Sequence, residues 1–439
     1  MSDRLLVRST PIPDPGEGFC RQIPVPEALA WIRQGAGLVG WGEAARVTLP
    51  AGADRFADGE KWLREIIDGA QVDDEVRRRG SGLVAFGSFT FDDASDGSVL
   101  IVPRAILGRD GTGNAWLTTI TPDGEAPWQP APFEPAEQPD IVSWHDGALS
   151  PPEWEQAVGE AVRRIKHSQL SSRGIRGPGG TGGGSPSCEK AVPPPDSSLR
   201  KVVLARDLYA TANRAIDARA LIDRLSSRYP GCYTFACDGL VGATPELLIS
   251  RDGWRVSSLV LAGTTPRGAT PAEDSDLATA LMGSAKENEE HQYAAASLEN
   301  ALAPLCQAMY VAPQPALIRL PNLQHLGTRV RGTLRSADRS ALGLAAAVHP
   351  TAAVGGTPTD AAVELIRELE SMDRERYAGP VGWVDADGNG EWGIALRCAQ
   401  LDGTRARLVA GCGIVAGSDP AAELAETITK FRPMRTALE

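Results

Sequence analysis

The chain has 439 residues, 42% of them hydrophobic and 23% charged, with a formal net charge of −12. This is the composition of a globular protein long enough to bury a large core, and it excludes a nucleic-acid binder because no Lys/Arg block offsets the negative charge. Seven cysteines (Cys20, Cys188, Cys232, Cys237, Cys306, Cys398 and Cys412) contain no C-x-x-C pair, and no apolar run is long enough to cross a bilayer. Neither a disulfide framework nor a zinc site is predicted, no leader is read at the start, and the expectation is a reduced, cytoplasmic protein.

Residues 1–150 read as strand-rich. Gly37–Gly42 and Arg46–Leu49 are predicted as a strand pair, Phe56–Ile67 has helical apolar spacing, and strands are expected at Leu83–Phe89, Ser98–Pro103 and Ala115–Ile120. Residues 122–140, rich in Pro and acidic residues, read as a linker or surface loop. A helix is expected within 151–171, with Trp154–Ile165 as its periodic part. The Gly/Pro-rich stretch 172–198 has almost nothing to pack and is expected to be a disordered insertion. Its glycines lack the Gly-Lys-Ser/Thr ending of a phosphate-binding loop.

From residue 199 the pattern tightens into what reads as the catalytic region, 199–439. Strands are predicted at Lys201–Arg206, at Tyr233–Gly242 around an Asp-Gly turn, at Glu246–Ser250 and at Trp254–Ala262. Helices are predicted at Arg214–Arg224 and at Ser275–Met309 with a break near Gly283. A strand at Val330–Leu334, a His-Pro loop at 349–359 and a helix at Ala361–Met372 follow. The chain then closes with hairpin strands at Val381–Val384, Glu391–Leu401 and Ala406–Val415, turning at Asp387-Gly388 and Asp402-Gly403.

The stretch most suggestive of chemistry is Gly411–Gly417 followed by Ser418-Asp419-Pro420. Spaced glycines let backbone amides approach a ligand, while Asp419 as N-cap and Pro420 at the first position start a helix. On that helix Glu423 and Glu426 share a face, with Lys430 one turn later. Lys286–His291 carries a second pair at the same spacing, Glu287 and Glu290. Two such pairs supply the oxygens a hard cation such as Mg²⁺ takes; two solvated acidic faces would show the same spacing. Arg397 is read in a strand, flanked on its own face by Gly393, Ala395 and Ala399, which leaves room for a bidentate carboxylate. Lys201 opens a strand and Glu246 follows the Thr244-Pro245 kink, so the two could serve as base and acid if burial tunes them. His325 and His349 are candidates for orienting a hydroxyl, or core histidines satisfied by backbone.

Taken together, these motifs resemble a known family. Lys201–Arg206, Gly242–Leu248, Leu261–Gly268, Lys286–His291 and His349–Thr351 carry the resemblance, along with Tyr377–Trp383, Ile394–Cys398 and Gly411–Lys430. The chain is similar to the chorismate-utilising enzymes, isochorismate synthases in particular, densely over 200–435 and loosely before it. The resemblance implies an α+β fold, one large interlocked domain of two stacked, largely antiparallel sheets with helices outside, to which residues 1–150 add strands. It also implies Mg²⁺ held by Glu290 and Glu426 directly and by Glu287 and Glu423 through water. The metal and the Gly411–Gly413 amides would fix the ring carboxylate of chorismate. Arg397 and Tyr377 would bind the enolpyruvyl carboxylate, with Lys430 near the charge, and Ala262, Gly263, Thr264, His325 and His349 around the substrate. Lys201 would activate water for attack at C2, and Glu246 would protonate the departing C4 hydroxyl.

A Lys at position 201 disfavours the ammonia-using anthranilate synthases, and Ala262 disfavours the aminodeoxychorismate synthases, which carry Lys there. Salicylate synthases share Lys201 and Glu246, but the run Thr351–Gly356 resembles the isochorismate pattern. Gly263-Thr264-Thr265 departs from the Gly-Ser often found there. A non-catalytic chorismate-binding protein is the reading from another class, set against the presence of both acid and base. The expected protein is a monomer without nucleic-acid or membrane partners, and its product would serve menaquinone or siderophore synthesis.

Overall fold

Runs of Val, Ile, Leu and aromatic residues buried on both faces set up the long central strands, which are flanked on either side and covered above and below. The structure, a computed structural model, describes residues 4–126, 136, 139–174 and 198–439. Among these residues one sheet has 13 strands and a second has 10, almost all pairs antiparallel, with eight α-helices. In the larger sheet Lys201–Ala212 pairs with Arg405–Val415 along its full length, from Lys201 opposite Val415 to Thr211 opposite Arg405. The smaller sheet is built on Arg255–Pro266 paired with Leu323–Leu334.

The two sheets face each other across the main core. Trp31 of the larger sheet donates from Nε1 to Glu391 Oε2 of the smaller at 2.7 Å, and its ring lies against Gly393. Strands Ala28–Arg33 and Ala36–Trp41 belong to the same sheet as the C-terminal strands, joined through Tyr233–Cys237. The N-terminal third therefore contributes directly to the sheet that carries Lys201.

Several predicted elements take a different form. Ala36–Trp41 and Ala45–Leu49 do not pair with each other. Gly42, at φ +66°, turns the chain out of the larger sheet, and Ala45–Leu49 joins Ser98–Val102 in the smaller one. The long helix does break at Gly283, as expected, into Pro271–Gly283 and Ala285–Leu302, because the Ser284 side chain caps the second by accepting from the Glu287 amide. It ends well before Met309, and Cys306–Val311 is an edge strand. The helix predicted at Arg214 begins at Ala218, capped by Asp217. A buried apolar helix, Ala341–Val348, was not signalled by amphipathic spacing because it is apolar nearly all round. The helix at 151 runs on to Gly174, taking in the first residues of the expected insertion; 175–197, and 127–135 with 137–138 of the expected linker, lie outside the described residues.

Candidate active site

The paired strands Lys201–Ala212 and Arg405–Val415 end beside the helices Ala285–Leu302 and Pro420–Leu438, and a chamber opens at that junction. Glu246, Ala262, Gly263, Thr264, Glu290, His325, Tyr377, Arg397, Gly411, Gly413 and Lys430 all line it, drawn from eight separate stretches of the chain. Asp419 caps the last helix by accepting from the Ala422 amide at 2.9 Å, with Pro420 at its first position. That cap fixes where Glu423, Glu426 and Lys430 project.

Lys201 is 0% exposed, and its ammonium stands 3.2 Å from Glu290 Oε1, close enough for an ion pair without the alignment of a hydrogen bond. Gly413 makes this approach possible, since a Cβ there would collide with the Glu290 carboxylate. Glu246 is 3% exposed and its Oε1 has no hydrogen-bond partner. Burial pushes its carboxyl up to about 8, against the pull of Lys201, Lys430 and Arg397, so it is protonated at neutral pH. The buried acid thus lines the chamber, and the buried Lys201 side chain lies behind Gly413 and Glu290, which line it too.

Arg397 is not inside a strand. Its φ of 52° places it in the break between Gly390–Ile394 of the smaller sheet and Cys398–Asp402 of the larger, where the chain changes sheets. The alternation argument over Gly393–Ala399 therefore fails, although the buried guanidinium still lines the chamber. Its Nη2 donates to His325 Nε2 at 3.2 Å, which leaves His325 Nδ1 as the N–H that faces the Gly263 carbonyl at 3.3 Å and Thr264 Oγ1 at 3.2 Å. Burial, then Arg397 and Lys430, hold His325 well below the usual imidazole range, consistent with that neutral tautomer. Tyr377 is buried, and desolvation raises its hydroxyl to about 12. His349 lies elsewhere: its Nε2 donates to the Phe91 carbonyl at 2.9 Å beside Phe56, in a separate groove. The expectation that it touches substrate is corrected on that ground; it is a core histidine held by one backbone carbonyl, with Nδ1 buried and unpartnered.

The four glutamates come together around ammonium groups. Lys286 Nζ lies 2.6 Å from Glu423 Oε1 and 3.1 Å from Glu287 Oε1, bridging the two helices. Lys430 lies 2.6 Å from Glu426 Oε1 and donates to the Gly411 carbonyl at 2.8 Å. The Thr264 amide donates to Glu287 Oε2 at 3.0 Å. Burial, then the charge of Glu290, raises Glu287; burial, then Glu426, raises Glu423. A partly buried all-carboxylate set that repels itself and gathers cations is the donor chemistry of Mg²⁺. The residues fit that ion, with the Lys286 ammonium standing where positive charge is wanted. Cys412 Sγ falls within 4.8 Å of ligand oxygens of Glu423 and Glu426, a softer donor at the edge of the set.

Three contributors carry no sequence mark of their own. Arg374 lines the chamber and is buried, pairing with Glu370 and donating to the Val203 and Val354 carbonyls, each at 2.8 Å. It lies in the charged run Asp373–Arg376, which looks like surface; only Glu370 four residues earlier hints at a pair. Lys286 sits beside Glu287 and reads as solvated. His291 bonds the Ala262 carbonyl and Thr328 Oγ1, fixing the strand that lines the chamber.

The fold and chamber define a class of small-molecule enzyme, and comparison with known proteins identifies it. The family model described as chorismate binding enzyme matches residues 190–439, and the chain belongs to that family. The chain is 32% identical to the isochorismate synthase MenF of Bacillus subtilis over 432 residues, covering 91% of this chain and 85% of the relative. It is 43% identical to the isochorismate synthase DhbC of the same organism over 254 residues, 55% of this chain and 64% of that one. The structure of the menaquinone-specific isochorismate synthase MenF from Escherichia coli superposes with a TM-score of 0.75 at 24% identity, covering 100% of this chain and 95% of that one, which shows the shared fold.

Proposed function

We propose that this chain is a Mg²⁺-dependent isochorismate synthase that converts chorismate to isochorismate in the chamber at residues 201–430. The observation that carries the reading is a protonated, buried Glu246 in a chamber that also holds Arg397 and Glu290, with the buried Lys201 3.2 Å from Glu290 Oε1. Isochorismate synthases among the relatives support it, as does the absence of Lys at Ala262.

The ion, held by Glu290 and Glu426 directly and by Glu287 and Glu423 through water, would supply positive charge for the ring carboxylate. Arg397, steadied by His325, presents its fork to the enolpyruvyl carboxylate, with Tyr377 beside it. Lys201, acting as the base, takes a proton from water while the water oxygen bonds to C2 and the ring double bond shifts. The C4–oxygen bond breaks as Glu246 delivers its proton, so the group leaves as water and not as hydroxide. One water enters and one leaves, and solvent returns Lys201 and Glu246 to their starting states.

Chromatography of the products from chorismate and Mg²⁺ tests the reading. Isochorismate is the expected product; salicylate with pyruvate would place the chain with the lyases, and unchanged chorismate would make it a binder. Lys201→Ala is expected to lower turnover by about 10²–10⁴-fold with chorismate binding retained. An equal loss of binding would make Lys201 a substrate contact and not the base.

A further inference from the structure

We infer that Lys286 is the resident counter-cation of the four-glutamate set, seated between Glu287 and Glu423 until the divalent ion expels it into solvent. This rests on the metal reading above and adds to it which side chain must yield.

Three ammonium groups serve the four carboxylates, and they are not equally free to leave. Lys201 is 0% exposed, with no solvent to swing into. Lys430 is 16% exposed and doubly held, by Glu426 and by the Gly411 carbonyl. Lys286 is 29% exposed, sits in the first turn of its helix, and has carboxylates as its partners. A long stem with solvent beside it lets the ammonium swing out and regain hydration.

Charge points the same way. Lys286 occupies Glu287 Oε1 and Glu423 Oε1, two of the oxygens that a divalent ion in this set would draw on. Keeping it would set an ammonium against a divalent ion on the same oxygens, in a partly buried site where repulsion is poorly screened. The geometry adds that Lys286 ties helix Ala285–Leu302 to helix Pro420–Leu438, so the cation-free protein already holds the two carboxylate pairs together.

The test uses the wild-type protein with and without Mg²⁺. Brief acetylation with N-hydroxysuccinimidyl acetate is followed by peptide mass spectrometry, with exposed Lys61 as internal reference and calorimetry to show that the ion is bound. A lysine clasped by two carboxylates reacts slowly, so Mg²⁺ is expected to raise the labelling of Lys286 relative to Lys61 by about fivefold or more. Bound Mg²⁺ with unchanged Lys286 labelling overturns this inference alone; absence of Mg²⁺ binding overturns it together with the metal reading. Lys286→Met, which keeps the stem, is expected to bind Mg²⁺ about tenfold more tightly. Equal or weaker affinity in that variant means that Lys286 does not compete with the ion.

Discussion

Glu246 is a carboxylic acid at a pH where most carboxylates are ions, because burial costs the charged form more than Lys201, Lys430 and Arg397 together return. Its role follows from that sign. The raised value of about 8 means that the proton is present below pH 8 and lost above it, so kcat is expected to fall as pH rises through about 8. Glu246→Gln keeps the shape without the transferable proton, and is expected to lose about 10²–10⁴-fold in kcat with chorismate binding retained. A kcat profile that stays flat between pH 7 and 9 in the wild type would contradict the assignment. At this scale the sequence was informative about which residue types matter and silent about their state. Glu246 and Lys201 are visible as an acid and an amine after a kink and at a strand start, but their burial depends on strands far downstream, Gly390–Ile394 beside Leu247 and Arg405–Val415 beside Lys201.

Among the elements, boundaries were readable where a side chain writes them. Ser284 splits the long helix and Asp419-Pro420 starts the last one, each through a local hydrogen bond. The break at Arg397 has no such mark, because a non-glycine residue at positive φ is held there by the two sheets it links and not by its own preference. The clamp formed by Arg374 and Glu370 is similarly hidden. Arg374 ties the strand bearing Lys201 to the turn at Val354, while Glu370 accepts from the Ala205 amide at 2.7 Å. Arg374→Met leaves Glu370 buried without its cation, and is expected to destabilise the fold by about 3–5 kcal/mol in denaturant titration. A change below about 1 kcal/mol would show that the pair is not structural.

For the whole molecule, the fold depends on pairings between distant stretches, such as Ala28–Arg33 beside Tyr233–Cys237. Periodicity shows many of these segments to be strands without saying which sheet each joins, which is why Gly37–Gly42 and Arg46–Leu49 read as partners. The site was legible chiefly through a set of motifs in a known order; spacing alone offered two glutamate pairs for which a solvated face is the commoner reading. Trp31, at 2% exposure, is where the two sheets lock, through packing and its bond to Glu391. Trp31→Ala is expected to cost about 3–5 kcal/mol of stability, read from the denaturant midpoint at unchanged slope. A loss confined to the slope would mean that the two sheets no longer unfold as one unit.

The ion proposed to be shared by two helices is what the proposed chemistry turns on, and calorimetric titration of Mg²⁺ into the wild type and into Glu290→Gln measures it most directly. One ion per chain in the wild type, with affinity reduced at least about tenfold in the variant, is the predicted outcome. Equal affinity in both proteins would place the ion elsewhere and contradict the account.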